Sequence, residues 1–75
     1  MARAKHDEPA DVSVVYGGSI LLFIGETPAG TTWLDENLQD GPMLGRGHAV
    51  EHRYAQDIIA GLADAGMKLA MSRGF

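Results

Sequence analysis

Seventy-five residues make one domain at most, and a chain this short buries only a thin core. There is no cysteine, which excludes disulfide staples, thiolate metal sites and cysteine nucleophiles. Net charge is −4, and between Asp11 and Met71 only Arg46, Arg53 and Lys68 stand against Asp11, Glu26, Asp35, Glu36, Asp40, Glu51, Asp57 and Asp64. Scattered cations in that balance do not neutralise a phosphate backbone, so no direct nucleic-acid binding is expected.

Residues 1 to 10 are polar, contain Pro9 and have no period, which reads as a flexible tail. They lack the apolar segment of a signal peptide. The longest strongly apolar run is Ile20 to Ile24, too short for a membrane span. A soluble, cytoplasmic protein is expected.

Val12 to Tyr16 is β-branched and aromatic, which suits a strand. Gly17-Gly18 then signals a hairpin, because a tight primed turn needs positive φ. Ser19 to Ile24 is the second strand. Ile20, Leu22 and Ile24 fall on one face and Leu21 and Phe23 on the other, so it reads as a central strand that must be covered on both sides. A helix follows, capped by Thr27 with Pro28 in its first turn, or by Thr31 after Gly30. It runs to about Leu38 and buries Trp33, Leu34 and Leu38, while Asp35, Glu36 and Gln39 face water. Asp40-Gly41-Pro42 ends it.

Pro42, Gly45 and Gly47 oppose a helix over the next segment. It reads as Met43-Leu44, a Gly45-Arg46-Gly47 turn, and a strand from His48 to Glu51. From Arg53 to Ala65 the residues Tyr54, Ile58, Gly61, Leu62 and Ala65 repeat with helical period, widened by Ala55 and Ile59. Gly66 is the C-terminal stop. Met67, Leu69 and Met71 alternate with Lys68, Ala70 and Ser72, which gives a last strand with one apolar face.

The order is β-β-α-β-β-α-β. It predicts an α+β fold over residues 11–72, two-layered, with two helices on one face of a mostly antiparallel sheet, and residues 73–75 as a terminal end. Two helices on one side leave either Leu21 and Phe23 or the opposite set uncovered. A second copy of the chain is the simplest cover, so a homodimer is expected, with Leu21 and Phe23 as candidate interface residues.

His48-Ala49-Val50-Glu51-His52 matches the H-x-x-E-H zinc motif. On a helix its three polar residues share one face. On a strand His48 and His52 share a face and Glu51 points away, so the site falls apart. The strand reading predicts no metal and no cofactor. A small zinc-dependent hydrolase using His48, Glu51 and His52 is the alternative it displaces. Neither a phosphate loop nor a nucleophile elbow is present, so no enzyme is expected.

Glu51-His52-Arg53 is the densest polar cluster. It is either the start of a capped helix or a partner-binding patch. Tyr54 beside it is expected to anchor in the core. Glu26, Asp35, Glu36 and Asp40 form an acidic set, which is either a solvated surface or a mimic of a nucleic-acid backbone.

Gly18-Ser19-Ile20, Trp33-Leu34-x-Glu36-Asn37-Leu38 and Ala49-Val50-Glu51-His52-Arg53-Tyr54-x-x-Asp57-Ile58-x-x-Gly61-Leu62-x-x-x-Gly66 occur in that order. Over about residues 12 to 71 the chain resembles small uncharacterised proteins of phages, prophages and other mobile elements of bacteria. The resemblance implies a genomic setting and no mechanism. The functional expectation is a non-enzymatic protein-interaction module that binds itself and a host protein. An acidic inhibitor of a host nucleic-acid-binding or defence protein is the alternative. Glu51, His52, Arg53, Asp35 and Glu36 are the candidate partner-binding residues.

Overall fold

A computed structural model describes residues 10–38 and 41–73. The elements are β1 (Val12–Gly17), β2 (Ile20–Gly25), α1 (Pro28–Asn37), β3 (Met43–Leu44), β4 (Gly47–Glu51), α2 (His52–Asp64) and β5 (Leu69–Arg73). The fold is α+β in the expected element order. The expected N-terminal tail lies outside the described residues except for Ala10, as do Gln39 and Asp40, while β5 carries the domain one residue past 72.

The five strands lie in the order β3-β4-β2-β1-β5. Three of the four pairings are antiparallel, and β5 runs parallel to β1. No helix among the described residues is long and apolar enough to cross a membrane.

Local chemistry sets the connections. Gly17 pairs with Ile20, so the hairpin turn is Gly18-Ser19, one residue later than the Gly17-Gly18 reading. Gly18 has φ +69° and Ser19 is not in the positive region, the sign pattern of a type II′ turn. Thr27 caps α1. Its hydroxyl accepts from the Gly30 amide at 3.1 Å, and Pro28 takes the first helical position, where its missing N–H costs nothing. At the end of α2 the Gly66 amide donates to the Ala63 carbonyl and the Met67 amide to the Leu62 carbonyl, both at 3.0 Å. With Gly66 at φ +79°, this is a Schellman stop.

Both helices pack on one face of the sheet. Val12, Val14, Leu21, Phe23 and Val50 point to that face and join Leu34, Ala55 and Leu62 in one core. Burying Phe23 alone, which is 0% exposed, removes from water a side chain worth about 1.5–3 kcal/mol. Trp33 of α1, Leu38 just after it, and Ile58 and Ile59 of α2 are half-buried against the core. The Trp33 ring lies over Gly61, where a Cβ would come within 3.0 Å of it. At Gly30 a Cβ would run into the Asp11 carbonyl, so α1 sits directly on the start of β1.

The stripe on α2 centres on Ala55 and Leu62, which are buried. Tyr54, expected as a core anchor, is 53% exposed instead, because the helix is rotated to set the small Ala55 against the sheet.

Leu21 and Phe23 are not interface residues. They are 3% and 0% exposed within one chain, beneath the helices, and the opposite set of β2 is left open. β2 is central, yet the chain's own helices cover only one of its faces.

Asp11 joins three elements where the sheet begins. Its carboxylate accepts from the Thr27 hydroxyl at 2.7 Å and from the Lys68 amide at 2.9 Å. Its own amide donates to the Lys68 carbonyl, and its carbonyl accepts from the Glu26 amide, both at 2.8 Å. The Lys68 amide, and after it the Thr27 hydroxyl, hold the Asp11 carboxyl below its ordinary value of 3.8. A carboxyl with a lowered folded value adds stability above its unfolded value and loses it as pH falls through the folded one. Asp11→Ala should therefore unfold at lower urea than the parent at neutral pH. The gap should narrow below the unfolded value of 3.8. Urea melts at a series of pH values check this, and a gap that widens in acid contradicts it.

Candidate interaction surface

The face of the sheet opposite the helices carries Val15 of β1, Ile20, Leu22 and Ile24 of β2, and Ala49 of β4, all half-buried. Gly47 pairs beside them, and a Cβ there would meet Leu22 and Ile24. The absence of a side chain at Gly47 lets these two aliphatic side chains lean over β4. The result is a continuous apolar strip across three adjacent strands.

Charges mark both ends of the strip. At one end Glu26 lies 3.8 Å from Arg46 and accepts from the Ser13 hydroxyl at 2.9 Å. At the other end Glu51, paired across from Ile20, lies 3.2 Å from Arg53.

Glu51 is also the residue from which α2 starts. Its backbone is extended, and its side chain makes no capping hydrogen bond. The capped helix start expected at this cluster is therefore not made by the Glu51 side chain. The His52 amide donates to the Ser19 carbonyl of the hairpin turn at 2.8 Å instead, so the β1–β2 turn fixes where α2 begins.

Around this junction lie two recesses. The more polar, about 320 Å³, is lined by Ser19, Ile20, Glu51, His52 and Arg53. The more apolar, about 460 Å³, opens at the edge of β4 beyond the short β3. Leu38 at the end of α1, Pro42, Ala49, Val50, Tyr54 and Ile58 line it, together with Ile20 and Glu51, which belong to both recesses. The Arg53 guanidinium stands 5.0 Å from the centre of the Tyr54 ring, within cation–π range, although both side chains are exposed.

The H-x-x-E-H residues divide. His48 points to the core face of β4, opposite Phe23, and is 7% exposed. Glu51 points to the other face. His52 opens α2 and lines the same recess as Glu51, so it is not grouped with His48 as the strand alternation suggested. No group of three or more His, Cys, Asp or Glu among the described residues is placed to hold a metal ion.

Of the candidate partner-binding residues, Glu51, His52 and Arg53 come together. Asp35 and Glu36 lie on α1, outside both recesses. The acidic set is dispersed as well. Glu26 turns to Ser13 and Arg46, Asp35 lies 3.4 Å from His48 Nε2, and Asp40 is outside the described residues.

No protein-family model, curated protein or solved structure matches the chain.

His48 Nδ1 is buried without a hydrogen-bond partner. Burying such an atom costs about 1–3 kcal/mol, while an exposed carboxylate such as Asp35 returns at most about 1 kcal/mol. His48 is then a structural residue that the core tolerates. His48→Leu should leave stability unchanged or raise it by about 1 kcal/mol in a urea melt. A loss larger than about 2 kcal/mol would show that the imidazole makes interactions the core depends on.

Proposed function

We propose that the chain is a small non-enzymatic protein-interaction module. The observation that carries this reading is the pair of joined recesses at the β4 edge. An apolar groove walled by Leu38, Pro42, Val50 and Ile58 shares Ile20 and Glu51 with a polar hollow holding His52 and Arg53. This is the composition of a protein contact, with an apolar seat for one anchoring side chain and polar groups beside it to set register.

Tyr54 is the residue expected to matter most. It lines the groove and is 53% exposed, with the Arg53 guanidinium over its ring. Tyrosine and arginine are the side chains that most often dominate binding when a partner dries them. The motif that suggested zinc supports the same reading. Its histidines and glutamate are divided between the core and the junction, and the junction half lines the polar hollow. The resemblance to mobile-element proteins fits a partner from a bacterial host.

Photo-crosslinking tests this directly. A benzophenone side chain at position 54 should give discrete protein adducts in cells, and the same group at exposed Ala63 on the far part of α2 should not. Tyr54→Ala should keep its folding stability within about 1 kcal/mol, since exposed side chains contribute little to it. Identical adducts from positions 54 and 63, or none from either, contradict the groove as a binding site.

A further inference from the structure

The apolar strip on the open sheet face meets the groove at Ile20 and Ala49 and extends from there over Val15, Leu22 and Ile24, which lie outside it. We infer that a second copy of this chain covers it, making a face-to-face sandwich of two five-stranded sheets, each with its helices outside.

The strip itself is the first argument. Val15, Leu22, Ile24 and Ala49 are adjacent across β1, β2 and β4, and Ile20 extends them along β2. Leu22 and Ala49 are direct cross-strand partners, so the strip runs straight through the middle of the sheet. Among the described residues no charged side chain interrupts it. Central side chains of this kind, with charges only at the margin, are the anatomy of an interface core.

Charge identifies the occupant. Each end of the strip has one carboxylate and one guanidinium, Glu26 with Arg46 and Glu51 with Arg53. A twofold contact lays a surface on itself, so the surface must complement itself. Here it does so in either orientation. If the two β2 strands run antiparallel, the Glu26–Arg46 end meets the partner's Glu51–Arg53 end. If they run parallel, each end meets its own copy. In both cases every carboxylate has a guanidinium of the other chain within reach. A strongly acidic or basic partner would satisfy half of these groups and repel the rest.

Area sets the strength. β1 and β2 have six residues each, β4 and β5 five each and β3 two. At about 4.8 Å per strand and 3.3 Å per residue this gives about 380 Å² in plan per copy. Two such faces cover about 760 Å², below the roughly 1,000 Å² of a stable specific interface, so the dimer should be a weak one that dissociates in the high micromolar range.

This inference does not depend on the groove. A failure of the crosslinking test at position 54 leaves it standing, and its own failure leaves the groove standing. The test is sedimentation equilibrium of the full chain from micromolar to millimolar concentration. The parent should pass from about 8 kDa to twice that mass. Leu22→Asp places a charge on the strip and should weaken the dimer at least hundredfold, with the far-ultraviolet dichroism of the parent. Ala63→Lys on the exposed side of α2 should leave association unchanged. A parent that stays at monomer mass overturns the inference, and so does a Leu22→Asp variant that still dimerises like the parent. A second measurement covers the case in which Leu22→Asp fails to fold. The chain has no cysteine of its own, so Val15→Cys, on the strip and outside both recesses, and Ala63→Cys introduce single thiols. Val15→Cys should oxidise to a linked dimer at least tenfold faster than Ala63→Cys, and equal rates overturn the inference.

Discussion

Along β2 the side chains alternate, Leu21 and Phe23 to one side and Ile20, Leu22 and Ile24 to the other. Both sets are apolar, so both sides of the strand gain from leaving water. The two helices pack on one side only. The inner set is dry within the monomer, and the outer set is only half-buried. That division governs the molecule. It defines the core, it leaves the outer strip half-exposed, and it places the β4 edge, with its groove, where the two faces meet.

The helices take their side through close fits rather than large interfaces. Gly30 brings α1 down onto the Asp11 carbonyl, and Gly61 lets the Trp33 ring of α1 cross α2. Asp11 then ties the start of β1 to the cap of α1 and to the entry of β5. The parallel β1–β5 pair has no hairpin to hold it, and these bonds set its register at the end where it begins. At the opposite end of the sheet the Ser19 carbonyl does similar work for α2. The polar corner with Glu51, His52 and Arg53 is thus built on a fixed turn, and the fold itself sets its shape.

Much of this was legible in the chain. Thr27-Pro28 marks the start of α1 and Gly66 the end of α2, because capping chemistry is local. The glycines around Arg46 exclude a helix, and with that the metal reading of His48 and Glu51 fails. The choice of face on β2 was not legible from β2, since both of its sets are equally apolar. Ser13, lying between Val12 and Val14, carried the missing signal: the polar member of β1 belongs to the open side. The rotation of α2 depends on Ala55 against Tyr54, where a small residue wins the sheet contact and a large one is displaced, which composition ranks in the opposite order. The parallel placement of β5 comes from contacts between distant parts of the chain, with Val12 beside Leu69, and no local pattern encodes it. Likewise Glu51, His52 and Arg53 were visible as neighbours in sequence, while the groove draws on α1, β4 and α2 and appears only after folding.

One face of the sheet is covered by the chain's own helices, and the proposed dimer would cover the other. Dilution of isotope-labelled protein, followed through its backbone amide resonances, reports on this residue by residue. A dimer through this face shifts the amides of Val15, Leu22, Ile24 and Ala49 and their strands with concentration and leaves Ala60 and Ala63, on the outside of α2, unmoved. Resonances that stay constant from micromolar to millimolar protein, or shifts gathered on the outer surfaces of the helices, would contradict it.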